Sequence, residues 1–327
     1  MRRATIEVFR ILLKKYAGDA WLLLLCTTVI LLMFPWVRIW TVAQFELSGF
    51  KPLIEQFKSF ERYSPVPLEQ FLTYEGVIGL TYAEPIMLLC LLTWSIARGS
   101  DVVSGELNRG SMELLLAQPI RRSTLLAAHA VVGIVGLAVL SATSFIGIVA
   151  GIRTNSTIVL ESSQSIKVLG VDVGAFFVGE PIRRSVPLSE LVPLEVYIAP
   201  AINFFALGFF MLALSVLVSS LDQYRWRTIG VVIGIYILQA LLFVLAKSTQ
   251  RTRWLMPFSF LAAYQPDWMV RAVNTLGMHP MAVVARGEAG AMVLGPMGYS
   301  LILIALGCLC YAAAFAAFGR RDLPAPL

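Results

Sequence analysis

Charge is scarce in this sequence. Asp, Glu, Lys and Arg make up only 14% of its 327 residues, against 58% hydrophobic residues, where a soluble domain carries roughly a quarter charged residues. An ordinary soluble globule is thereby excluded, and the mean hydropathy of +0.77 points to an all-α polytopic membrane protein. Histidine is scarcer still: His129 and His279 are the only two, which excludes a His-rich metal site, and no metal is expected. The cysteines Cys26, Cys90, Cys308 and Cys310 all fall inside apolar runs. They read as small buried hydrophobes rather than disulfide partners or ligands. No G-x-x-x-x-G-K-[ST] loop is present, so the chain cannot hydrolyse ATP by that route. The net charge of +6 is too small and too dispersed to argue for nucleic acid; it fits anionic headgroups and the positive-inside bias.

What is abundant is long apolar sequence. About 20 apolar residues cross a hydrocarbon core, and six stretches reach that length, near 20–42, 77–97, 125–151, 197–220, 228–246 and 298–318. Trp21, Trp36, Trp40, Trp94 and Trp226 lie at or near their ends, as interfacial aromatics do. Residues 1–19 differ. Ile6, Phe9, Leu12 or Leu13 and Tyr16 recur at helical spacing beside Arg2, Arg3, Arg10, Lys14 and Lys15, which predicts an amphipathic helix in the headgroup plane, ended by Gly18-Asp19. The 26 Lys and Arg divide evenly between the two faces, but the rule concerns short loops and span flanks. Five positives precede the first span and Arg38 alone closes it, so both termini are expected in the cytoplasm.

The outer connections are long. In 43–76, Phe50, Leu53, Ile54, Phe57 and Phe60 against Lys51, Glu55, Lys58, Glu61 and Arg62 predict a surface amphipathic helix. In 152–196, the runs Thr157–Leu160, Ile166–Val171 and Ala175–Val178 predict a hairpin or small three-stranded sheet. In 247–297, Gln265-Pro266-Asp267 predicts a helix start and Gly277 a stop, within a pair of short outer helices. Gly208, Gly230 and Gly234 would allow close helix approach. Glu84-Pro85 sits inside the second apolar run; an intramembrane carboxylate is a candidate for a pathway, and Pro85 permits a kink. His129 is expected to be a hydrogen-bonded packing residue. A membrane-embedded enzyme would need a converging constellation, and Glu84 and His129 find no third partner, so no catalytic residue is assigned; a passive scaffold is the other reading.

Charge concentrates in 98–122, between the second and third apolar runs, where Arg98, Asp101, Glu106, Arg109, Glu113, Arg121 and Arg122 stand. Such charges are costly in lipid, so they must meet water or protein. Glu106 and Arg109 lie three apart, and Arg109 and Glu113 four apart, on one helical face. A short helix is expected to begin at Ser104 or Gly105. Gly110-Ser111 breaks it, Ser111 caps a second turn carrying Glu113, and Pro119 ends that turn. The result is an amphipathic elbow along one membrane face, or else a solvated loop with helical character. The basic turn Leu221–Arg227, with Arg225 and Arg227, joins spans four and five.

The stretch Ser-Gly-Glu-Leu-Asn-Arg-Gly-Ser-Met-Glu-Leu-Leu-Leu-Ala-Gln-Pro-Ile-Arg-Arg resembles the cytoplasmic loop of type-2 ABC exporter permeases, the membrane subunits of ATP-binding-cassette exporters. Ser104, Gly105, Glu106, Gly110, Ser111, Glu113, Leu114, Leu115, Pro119 and Arg122 match it position by position. The six-span plan is similar along the whole chain, and the subfamily resembles permeases of nitrous-oxide-reductase maturation and of antibiotic resistance, with longer outer loops here. The resemblance implies that 98–122 is a coupling helix docking on a separate ABC ATPase, with Arg109 beside the matched positions. It also implies that ATP and Mg are bound by that partner and not by this chain, and that the permease pairs with a second copy or a paralogue. The expected setting is a bacterial inner membrane. The expected function is export of a lipophilic or amphipathic cargo, or transmission of force to an extracytoplasmic partner.

Overall fold

The computed structural model describes residues 2–45, 56, 72–110, 112, 121–161, 167–168, 171–172, 182–286 and 292–320. Among these, six helices are long and apolar enough to cross a membrane, in agreement with an all-α polytopic architecture. They are built on α1 (Arg2–Ala43), α2 (Pro85–Ser100), α3 (Arg122–Thr154), α4 (Ile198–Leu221), α5 (Arg225–Ser248) and, after a shorter α6 (Pro266–Asn274), α7 (Pro296–Arg320).

The helix most enclosed by the others is α4, which packs on α2, α3, α5, α6 and α7. Small residues let it approach. A Cβ on Gly208 would press on Leu91 and Leu137, and one on Gly136 would fall on the Trp94 indole. Trp94 is therefore a core residue, its Nε1–H donating to the Gly133 carbonyl at 3.0 Å, and not an interfacial aromatic. Trp21, Trp36, Trp40 and Trp226 are exposed, as expected. The outermost helix is α5, which buries only Thr228, Val232 and Ala246. Gly230 and Gly234 face open space, so of the three glycines marked for close approach only Gly208 makes it within the chain. Cys90 is buried, whereas Cys26 and Cys308 are exposed on the apolar surface and Cys310 is half-buried.

Of two expected breaks in helices, one is absent and one is present. The boundary at Gly18-Asp19 does not exist: α1 runs unbroken from Arg2 through the predicted interfacial segment into the first span. Leu12 and Tyr16 pack with Ala128 of α3, and Ala20 is buried as well. Tertiary contact on both sides of Gly18 outweighs the roughly 1 kcal/mol that a mid-helix glycine costs. Pro85 does mark a break within the second span, because Glu84 before it is extended (φ −65°, ψ 139°). It is the first residue of α2, where its missing N–H is harmless, and a helical turn Tyr74–Gly79 and a 3-10 turn Leu80–Ala83 lead into it.

The predicted external β structure is present, with one strand, Ile182–Pro187, that the sequence did not mark. Strand β1 (Ser156–Glu161) pairs antiparallel with β4 (Ile182–Pro187), enclosing the two-residue ladder of β2 (Lys167–Val168) and β3 (Val171–Asp172). The run Ala175–Val178 lies outside the described residues, as does the amphipathic helix predicted from Phe50 to Phe60. Beyond α5, Gln250–Phe258 and Phe260–Ala263 form 3-10 turns. Then α6 begins at Pro266 and is followed by Gly277 in a left-handed conformation (φ 61°). A hairpin of β5 (Val284–Arg286) and β6 (Met292–Leu294) precedes α7.

Candidate functional site

The second span does not end where its apolar run ends. From Ser100 the helix widens into a π-helical turn, Asp101–Gly105, and then continues as Glu106–Asn108. The expected helix start at Ser104 or Gly105 is thus replaced by continuation. The chain breaks at Gly110, which takes φ 69°, as the Gly-Ser pair predicted. Asp101, Ser104, Gly105 and Glu106 are buried, so this half of the elbow lies inside the protein rather than along a surface. Ser111, Glu113, Leu114, Leu115 and Pro119 lie outside the described residues.

A π turn leaves backbone N–H groups without their usual acceptors. Here Ser219, near the end of α4, accepts from the N–H of Val103 at 3.2 Å and of Ser104 at 3.0 Å. Its hydroxyl also donates to the Ser100 carbonyl at 3.2 Å. The Ser104 hydroxyl lies 3.0 Å from that of Ser219 and accepts from Thr228, in the first turn of α5, at 3.0 Å. Three helices therefore meet on one hydroxyl cluster. Gly105 is part of this geometry, because a Cβ there would press on the Asp101 carboxylate, 2.5 Å away.

Asp101 is the electrostatic centre. Its carboxylate takes Arg109 at 2.7 Å, Arg225 at 3.4 Å and Arg98 at 3.6 Å. The bond to Asp101 pushes the Arg109 guanidinium further above its ordinary value. Glu106 takes Lys15 of α1 at 3.1 Å and Arg109 at 3.4 Å. The elbow and the second basic turn, separate in sequence, thus share one carboxylate. The turn itself is closed by Asp222, which accepts from the backbone N–H of Gln223 and Tyr224 and pairs with Arg227 at 3.4 Å. Arg122 donates to the Phe318 carbonyl in the last turn of α7 at 3.3 Å, a favourable place for a cation. Sequence reasoning counted Asp101 among the charges of the elbow without giving it a role, and missed Lys15, Ser219 and Thr228 as members of the site.

Behind this cluster, the ring of His129 lies against that of Tyr16, with centroids 3.6 Å apart. Both imidazole nitrogens are buried without a hydrogen-bond partner among the described residues, so His129 is the expected packing residue without the expected hydrogen bond, its ring tilted 38° against that of Tyr16. Glu84 stands at the opposite end of α2, roughly 20 Å from Arg98 along the helix axis. There it pairs with Arg38 at 2.9 Å, while Arg38 also donates to the Val77 carbonyl and the Thr81 hydroxyl. Glu84 and His129 are not brought together. Among the described residues no group of three His, Cys, Asp or Glu is placed to hold a metal ion.

Residues 19–323 match the family model described as ABC-2 family transporter protein. No curated protein was found to match the chain.

Proposed function

The chain belongs to the ABC-2 family of transporter proteins, multi-pass permease subunits of ABC transporters, and from that premise we propose that it is the membrane half of an exporter driven by a separate ABC ATPase. The observation that carries the reading is the sharing of Asp101 and the Ser104–Ser219–Thr228 hydroxyls by α2, α4 and α5. A partner displacing the elbow would move these three helices together. ATP and Mg act on the partner. Their contribution is to stabilise one of two arrangements of the bundle over the other. Arg109 and Gly110, which are exposed, would carry the docking surface together with the sequence-matched positions Ser111, Glu113, Leu114, Leu115 and Pro119. The elbow end and both termini would then face the cytoplasm of a bacterial inner membrane.

The permease works with a second copy or a close paralogue. Gly230 and Gly234 form a small-xxx-small pair on an exposed face of α5 with no neighbour within the chain. Such pairs let two membrane helices approach closely. The strongly apolar spans favour a lipophilic or amphipathic cargo. Transmission of force to an outer partner is the alternative, with the exposed Val284 and Met292 of the β5–β6 hairpin as a surface for it.

The test is co-expression with the candidate ATPase. Ser219→Ala and Thr228→Val should still co-purify with it but should lose most of its stimulation by the permease. An ATPase that never associates with the wild-type chain, or full stimulation in both variants, would reject the reading.

A further inference from the structure

Between α1, the end of α2 and the start of α5 lies a cavity of about 660 Å³, walled by the charged groups described above. Lys15, Arg98, Arg109 and Arg225 face three carboxylates there, Asp19, Asp101 and Glu106. The charges are unevenly matched. Arg109 and Lys15 sit at 2.7 Å and 3.1 Å from their carboxylates. Arg98 and Arg225 reach Asp101 only at 3.6 Å and 3.4 Å, beyond the roughly 2.7–2.9 Å of a charge-assisted hydrogen bond. Among the described residues each otherwise makes only a long bond to a neutral backbone carbonyl, Arg98 to Tyr16 at 3.4 Å and Arg225 to Ala97 at 3.5 Å. Asp19 is exposed at the rim and forms no ion pair among the described residues. Two guanidinium groups are thus held close together with less anionic charge than they would take.

The surroundings indicate what kind of anion fits. Leu23 and Ala97 complete the lining on the side facing the spans. Past them, α1 exposes Leu22, Leu25 and Val29. A charged pocket bordered by an apolar helix face suits an amphiphile whose head is anionic and whose chains lie along that helix.

We propose that this cavity seats the phosphate headgroup of an anionic membrane lipid, from the leaflet on the side of the chain termini, with Arg225 and Lys15 at its mouth and Arg98 behind. The assignment is independent of the transport reading, since it requires only that the chain be embedded in a membrane. Free inorganic phosphate shares the head chemistry but gains nothing from the apolar face.

The experiment uses the full chain in an uncharged detergent, following its thermal unfolding by tryptophan fluorescence. The probes are phosphatidylglycerol, phosphatidylcholine and inorganic phosphate. Phosphatidylglycerol should raise the midpoint saturably and by more than phosphatidylcholine does, and inorganic phosphate should leave it unchanged. Arg225→Gln should raise the half-saturating phosphatidylglycerol concentration about tenfold. Lys15→Gln, at the solvent-facing mouth, should act in the same direction and carries the test if Arg225→Gln does not fold. Arg153→Gln, at the opposite end of the bundle, should not move it. Equal shifts with the two lipids, or a phosphatidylglycerol shift that neither cavity variant weakens, would overturn the proposal. A shift reproduced by inorganic phosphate alone would overturn the lipid assignment in favour of a soluble anion.

Discussion

Asp101 bonds to three arginines, and its replacement tests how far one carboxylate organises the elbow end. Asp101→Asn leaves Arg98, with its side chain 6% exposed, beside a neutral amide. Removing one partner of a buried pair costs about 3–5 kcal/mol, and the partial exposure of Arg109 and Arg225 places the expected loss near the lower figure. Thermal or denaturant unfolding of the purified chain measures it. Ser219→Ala should cost about 1–3 kcal/mol, because two backbone N–H groups of the π turn lose their acceptor. Glu106 calls for a conservative change: Glu106→Lys would put a cation against Lys15 and Arg109, so Glu106→Gln is the variant that separates coupling from folding. At this scale the sequence was half legible. Charge density and spacing marked Glu106, Arg109 and Gly110. They could not mark Lys15 or Ser219, whose partners lie 91 and more than a hundred residues away, and a serine near a helix end carries no spacing signal at all.

Helices were the most legible elements, because hydropathy reports what a bilayer requires. Their ends were less so. Gly18-Asp19 reads as a stop only in the absence of α3, whereas Pro85 reads as a place where the span breaks, and the span does break there. The π turn was not legible: it inserts one residue into a helix without any composition cue, and it is held by hydroxyls from α4 and α5. Deleting Val102 should convert it to ordinary helix and remove the widened turn that the Ser219 and Thr228 hydroxyls hold. We expect such a variant to insert normally but to lose the stimulation of a partner ATPase, as an ATPase assay on the co-purified complex would report. The loss should exceed that of a conservative Val102→Ala change.

For the whole molecule, the far end is fastened as well as the elbow end, by a smaller set of contacts. Arg38 bonds to Glu84 while also bridging to Val77 and Thr81. Glu84→Gln should therefore lower the unfolding midpoint even if no cargo touches it. A change in transport without a change in midpoint would instead place Glu84 on the pathway. Assembly is testable along α5: Gly230→Leu and Gly234→Leu touch nothing within the chain, so they should leave the monomer's stability unchanged while reducing the dimer fraction in cross-linking or mass measurements.

The uninterrupted course of α1 bears on how the two ends communicate. Its 42 residues amount to roughly 63 Å of helix, about twice the hydrocarbon thickness of a bilayer. Lys15 grips the elbow and Arg38 grips the far end on the same rod. Between those grips the helix runs without a break, and Pro35, which removes one backbone hydrogen bond, is the one place where a bend can absorb part of a displacement; the rest reaches the other membrane face as a tilt or a piston stroke.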